Sequence, residues 1–216
     1  MITLFEELQL LAIHEDKGIF IGSVLDRLQP GLAGAVLAEL ALGGKICATN
    51  NHRLHVADAS PTNNPILDDA LLELQKSDKE RKFGYWLNNL YPKAEKLLKK
   101  ITKNLVLQGL LTQDDDNLVW VVPSPLHPEI NSSAKYAVVQ HLRALVLAKE
   151  QAGSREITFL SLVSACGLLD LAFLRDERKA ASQYINELLV GEAMKDPVLE
   201  TIQEIASALM GVVEEE

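Results

Sequence analysis

Lys93-Ala94-Glu95-Lys96-Leu97-Leu98-Lys99-Lys100-Ile101-Thr102-Lys103-Asn104-Leu105-Val106-Leu107-Gln108-Gly109 is the stretch that decides the fold class. Ala94, Leu97, Leu98, Ile101 and Leu105 recur at three- and four-residue intervals, the spacing that lines one side of an α-helix. Gly109 closes the run, because glycine readily takes the left-handed conformation at a helix end. A helix with one apolar stripe needs other elements to cover it. The 216-residue chain is long enough to supply them in one core, and with 48% hydrophobic but only 5% aromatic residues that core is built mostly of Leu, Ala, Val and Ile. The expected fold is mainly α: a single globular helical domain over residues 1–216 with two short β-hairpins.

Upstream, Thr3 and Glu6 form a capping box ahead of the apolar set Leu4, Leu8 and Leu11, predicting a helix that ends near residues 16–18. Alternation over 19–21 is followed by a helix over 32–42, apolar nearly all round and closed by Gly43-Gly44. Residues 45–48 and 53–56 alternate around Asn50-Asn51 and predict the first hairpin. Helices follow over 66–76 and 82–89. Downstream, 110–112 and 118–122 flank the acidic turn 114–117 as the second hairpin, and Pro123, Pro125 and Pro128 force an extended crossing. A long helix over 133–152 and four more near 158–168, 170–174, 176–189 and 197–213 complete the chain.

Catalytic signatures are missing: there is no GxSxG elbow, no Walker loop and no GxGxxG after a strand. Gly31-Leu32-Ala33-Gly34 lacks the lysine of a phosphate loop and reads as helix packing. Cys47, His52 and His55 fit no standard zinc spacing, so no metal and no cofactor are expected. The carboxylate pairs, Glu6-Glu7 and Asp68-Asp69 among them, read as solvated faces, and an enzyme is not expected. The N-terminus has no basic leader or cleavage site, no apolar run is long enough to cross a bilayer, and the two cysteines suggest no disulfide framework. A cytoplasmic protein with only peripheral membrane contact is expected.

A net charge of −9 repels nucleic acid and anionic lipid alike, so contact with either needs a local basic patch. Lys93, Lys96, Lys99, Lys100 and Lys103 provide one, and Lys93, Lys96, Lys100 and Lys103 share the side of the helix opposite the leucines. Two readings stand open: a solvated face, or a row that holds phosphate headgroups. The apolar strand Leu118, Val119, Trp120, Val121 and Val122 is more than a two-stranded ribbon can bury alone. It calls for the domain's own core, a second copy of the chain or a bilayer interface, a second copy being the better functional expectation. Helix plus hairpin also has the outline of a winged helix, but three aspartates at the wing tip and the overall charge argue against DNA.

Taken in order, these segments resemble the Golgi phosphoprotein 3 family. The resemblance rests on Leu4-Phe5-Glu6-Glu7-Leu8 with Leu10-Leu11, on Gly31-Leu32-Ala33-Gly34 with Leu37-Ala38-Glu39-Leu40-Ala41-Leu42, and on Gly44-Lys45-Ile46. It continues in Leu67-Asp68-Asp69-Ala70-Leu71, Lys103-Asn104-Leu105-Val106, Gly109-Leu110-Leu111-Thr112 and His127-Pro128. It implies a helical domain with a projecting hairpin used for self-association and membrane attachment. It also implies binding of phosphatidylinositol 4-phosphate on the cytosolic face of a Golgi-like membrane, adaptor contacts with short glycosyltransferase tails, and no catalysis. The shortened loops and lack of a long leader are those of a compact relative of prokaryotic type. The family's headgroup tryptophan falls near Ser23 or Val24, its following arginine on Ala33, and two helix arginines on Glu95 and Leu98. Arg27 with Lys96, Lys99, Lys100 and Lys103 is therefore read as a substitute, less selective anion site. The expected function is a peripheral membrane adaptor for anionic phospholipid and partner proteins; the alternative is a protein-binding scaffold with no lipid role.

Overall fold

A computed structural model describes residues 2–14, 19–90, 94–113, 119–121 and 134–214. Helix α1 (Leu4–Leu11) opens as the capping box predicts: the Thr3 backbone N–H donates to Glu6 Oε2 at 2.7 Å. It stops earlier than expected, because residues 13–14 leave it to form β1 (Ile13–His14), paired antiparallel with β2 (Ile19–Phe20). Long-range pairing overrides the helical reading there.

Helix α2 (Leu25–Leu42) is the axle of the fold. It starts a full turn and more before the expected residue 32 and runs through Pro30, whose missing N–H leaves one carbonyl of the first turns without its helical donor. Burial explains why the helix persists: Leu28 and all of Gly31 to Ala38 lie in the core. Around α2 stand α3 (Pro65–Gln75), α4 (Phe83–Asn89), α5 (Ala94–Leu107), α7 (Ser154–Ala165) and α9 (Pro197–Glu214), together with α1. Helix α6 (Ala134–Leu147) covers α1, and α8 (Arg178–Ala193) packs on α6, α7 and α9. The long helix expected to reach residue 152 ends at Leu147, and Lys149 turns the chain with φ 53°. Residues 169–171 make only a single 3-10 turn.

Small residues on α2 let its neighbours close in. A Cβ on Gly31 would sit 2.6 Å from Cys166 Sγ and 3.3 Å from Leu8 Cδ2, and one on Gly34 would sit 2.7 Å from Leu209 Cδ1. Gly31→Ala is therefore expected to destabilise by about 1–2 kcal/mol, overpacking outweighing the roughly 1 kcal/mol that alanine adds to a helix interior. In a Cys166→Ala background the same change becomes stabilising. Urea unfolding of the four proteins of this cycle measures the coupling; strict additivity would rule out the contact.

The first hairpin forms as predicted, β3 (Ile46–Ala48) against β4 (Arg53–Val56), with Cys47 opposite His55. It gains a third strand, β5 (Arg81–Lys82), which alternation over two residues could not announce. The second hairpin is β6 (Leu111–Gln113) against β7 (Val119–Val121), in the register Leu111 to Val121. Its turn, Leu118, and the proline crossing with His127 lie outside the described residues. The backbone of β7 also lies against β1 and β2, so the ribbon has a neighbour within its own chain rather than projecting along its whole length.

Candidate anion-binding helix face

Helix α5 divides cleanly into two sides. Leu97, Leu98, Ile101 and Leu105 are buried, the last two completely. Lys96, Lys99, Lys100 and Lys103 are exposed. At 3.6 residues per turn the four ammonium stems fall within an arc of about 100°, opposite the leucines. The lysine row and the apolar stripe of the sequence are thus one helix seen from two sides; Lys93 lies outside the described residues. The row is not free of acid. Lys100 Nζ lies 2.5 Å from Asp69 Oδ2 on α3, both about half exposed, and Glu95 is exposed at the edge of the same arc. Beside this pair is an open cavity of about 460 Å³ lined by Asp69, Leu72, Glu73, Lys76 and Leu90, with Leu72 conspicuously exposed.

Arg27 is held differently. One guanidinium nitrogen donates to the Gly167 carbonyl and the other lies 3.9 Å from Asp170 Oδ2, so the turn after α7 fixes it. It is a cation that already has an anionic neighbour. Of the positions where the family resemblance puts headgroup residues, Ala33 and Leu98 are buried, as is Val24, one of the two alternatives for the tryptophan, and Glu95 reaches solvent. Leu118 lies outside the described residues, and Val119, Trp120 and Val121 occupy β7.

What positions α5 is α1. The Gln9 side-chain amide donates to Thr102 Oγ1 at 2.7 Å, both residues buried, and Gln108 Nε2 donates to Glu6 Oε1 at 2.8 Å. Helix α1 is fixed in turn by a cluster that local sequence does not reveal. Arg155 on α7 donates through Nη1 to Glu39 Oε1 at 2.9 Å and through Nη2 to Glu7 Oε2 at 3.0 Å and the Ile2 carbonyl at 2.7 Å. Glu39 Oε1 also accepts the Leu4 backbone N–H at 2.6 Å. The expectation that Glu6 and Glu7 form a solvated face is overturned: Glu6 is buried, and the Glu7 side chain is only 18% exposed. Tertiary hydrogen bonds take the place of water. Burial raises the Glu7 carboxyl from 4.5 to about 7, Arg155 pulling it down and Glu39 pushing it up. Burial alone would lower the Arg155 guanidinium, but the hydrogen bond and field of Glu39, with the field of Glu7, outweigh it and hold it above its usual value.

The histidines of the first hairpin turn to carboxylates rather than to each other. His52 Nδ1 lies 2.7 Å from Glu204 Oε1 and His55 Nδ1 lies 3.0 Å from Glu80 Oε1. Among the described residues no group of three or more His, Cys, Asp or Glu side chains is arranged to hold a metal ion. Cys166 is fully buried, its thiol raised to about 12 by that burial and lowered somewhat by Arg27. No described helix is long and apolar enough to cross a membrane.

Comparison with known proteins bears on the whole chain. The family model for Golgi phosphoprotein 3 (GPP34) matches residues 4–206. A relative named vacuolar protein sorting-associated protein 74, from Eremothecium gossypii, is 24% identical over 168 residues, covering 68% of this chain and 50% of the relative. The chain thus spans about half the length of that relative.

Proposed function

Because the chain belongs to the Golgi phosphoprotein 3 family, we propose that it is a non-catalytic peripheral membrane adaptor that lays the lysine face of α5 on an anionic phospholipid surface. One observation carries this reading: in a chain of net charge −9, four lysines share one exposed face of a helix whose other face is core. Each such lysine near an anionic leaflet adds about 1 kcal/mol of attraction. Phosphoinositide headgroups are ligands of this face by charge rather than by a shaped pocket, since Ala33 and Leu98, at the positions of two family arginines, are apolar and buried. A second copy of the chain, docking through Val119, Trp120 and Val121 of β7, belongs to the same proposal, as do membrane-protein tails on the cytosolic side.

Vesicle flotation tests it. Lys96→Glu, Lys99→Glu and Lys103→Glu together should weaken binding to phosphatidylserine or phosphatidylinositol 4-phosphate vesicles on the order of a hundredfold, the loss of about 3 kcal/mol. Wild-type binding should also fall as salt rises from 0.01 to 0.1 M, where the screening length shrinks from about 30 to about 10 Å. Binding that ignores both the substitutions and the salt would defeat the lipid reading and leave the protein-binding scaffold. That second reading draws on the Lys100–Asp69 pair, which already neutralises part of the row.

A further inference from the structure

Glu7, Glu39 and Arg155 come from three helices, α1, α2 and α7, and meet where the N-terminal segment is anchored. Two carboxylates face one guanidinium, and their side chains are 18%, 13% and 26% exposed in that order. With both acids ionised the buried cluster carries one uncompensated negative charge, to which Glu156 on α7 adds its field. The two acids are not equivalent. Glu39 Oε1 accepts two hydrogen bonds, from Arg155 and from the Leu4 amide. Glu7 Oε2 accepts one, from Arg155. Protonating Glu7 removes the uncompensated charge while Glu39 keeps both of its donors.

We infer that this cluster of two carboxylates and one guanidinium is a proton-operated latch on α1, closed when Glu7 is protonated and loosened when Glu7 ionises. The charged groups acting on Glu7 are Arg155 and Glu156 from α7 and Glu39 from α2. Of the other elements against α1, helix α5 presents Thr102, with Gln108 just past its end, and α6 presents Lys135, which donates to the Ile13 carbonyl beyond the far end of α1. Glu156 also caps its own helix through the Gly153 amide. Linkage sets the sign. The Glu7 carboxyl sits at about 7 in the folded cluster and at 4.5 when released, so the latch is fully closed below 4.5 and is lost as pH rises through 7. Loosening α1 also releases the Gln9–Thr102 and Glu6–Gln108 bonds that seat α5.

Hydrogen exchange of the full chain without lipid tests the latch independently of any vesicle result. Between pH 6 and pH 8, protection factors of amides in α1, corrected for intrinsic exchange, should fall about tenfold, the ratio these two values give by linkage. Glu7→Gln, which mimics the protonated acid, should keep them level across that range. A flat wild-type profile, or an equal slope in Glu7→Gln, would overturn the proposal. Should that variant fail to fold, carbon-13 NMR titration of the wild-type Glu7 carboxyl decides: a midpoint near 7 supports the latch, and one below 5 refutes it.

Discussion

Replacing Arg155 with leucine should destabilise the protein by about 3–5 kcal/mol at pH 8, the range seen when one member of a buried ion pair is removed. The lower end is expected, since about a quarter of the Arg155 side chain still meets water. The variant strands Glu7 and Glu39 together in the core without a cation, and takes the donor from the Ile2 carbonyl as well. Acid should repair it. Without Arg155 to hold it down, Glu7 takes up its proton more readily than in wild type as the pH falls from 8 to 5, so the gap from wild type narrows, opposite to ordinary acid denaturation. Adding Glu7→Gln and Glu39→Gln should recover most of the loss at pH 8, because a neutral trio keeps the Leu4 amide bond to residue 39 without burying a net charge. Urea unfolding at the two pH values measures each step. A penalty under 1 kcal/mol at pH 8 would mean that the cluster is held by packing alone.

Leu105→Ala should lower unfolding free energy by about 2–5 kcal/mol, whereas Lys103→Ala, two residues away, should change it by less than about 0.5 kcal/mol. Leu105 is fully buried on the inner side of α5 and Lys103 is exposed on the outer side. For a chain of this size the leucine change amounts to roughly 4–20 °C in Tm, at about 2–4 °C per kcal/mol. Vesicle binding should report the reverse: Lys103→Ala weakens it and Leu105→Ala, assayed well below its melting temperature, leaves it near wild type. Comparable losses of stability from the two changes would show that α5 is not seated as described.

Features decided within a few residues were legible before the fold was known. The capping box at Thr3 and Glu6, the two-sided pattern of α5 and the β3–β4 hairpin all depend on spacing along one element. Features decided by distant partners were not. Glu7 and Glu156 stand in superficially similar helix-opening acidic contexts, yet Glu7 is drawn inward by Arg155, 148 positions away in sequence. Likewise β5 exists because Arg81 and Lys82 find Leu54 and Arg53, and α2 continues through Pro30 because the surrounding helices cover its later turns. Arg27 shows the same limit for the site itself: its charge was readable, its tie to Gly167 across 140 positions was not.

The central position of α2 has a consequence for biosynthesis. Its glycine face closes only when Leu209 of α9 meets Gly34, 175 residues later by subtraction of their numbers. At translation rates of about 5–20 residues per second, this largely buried segment waits roughly 10–35 s for that part of its cover. Until α9 has been made, that face of α2 lacks the neighbour that Leu209 provides.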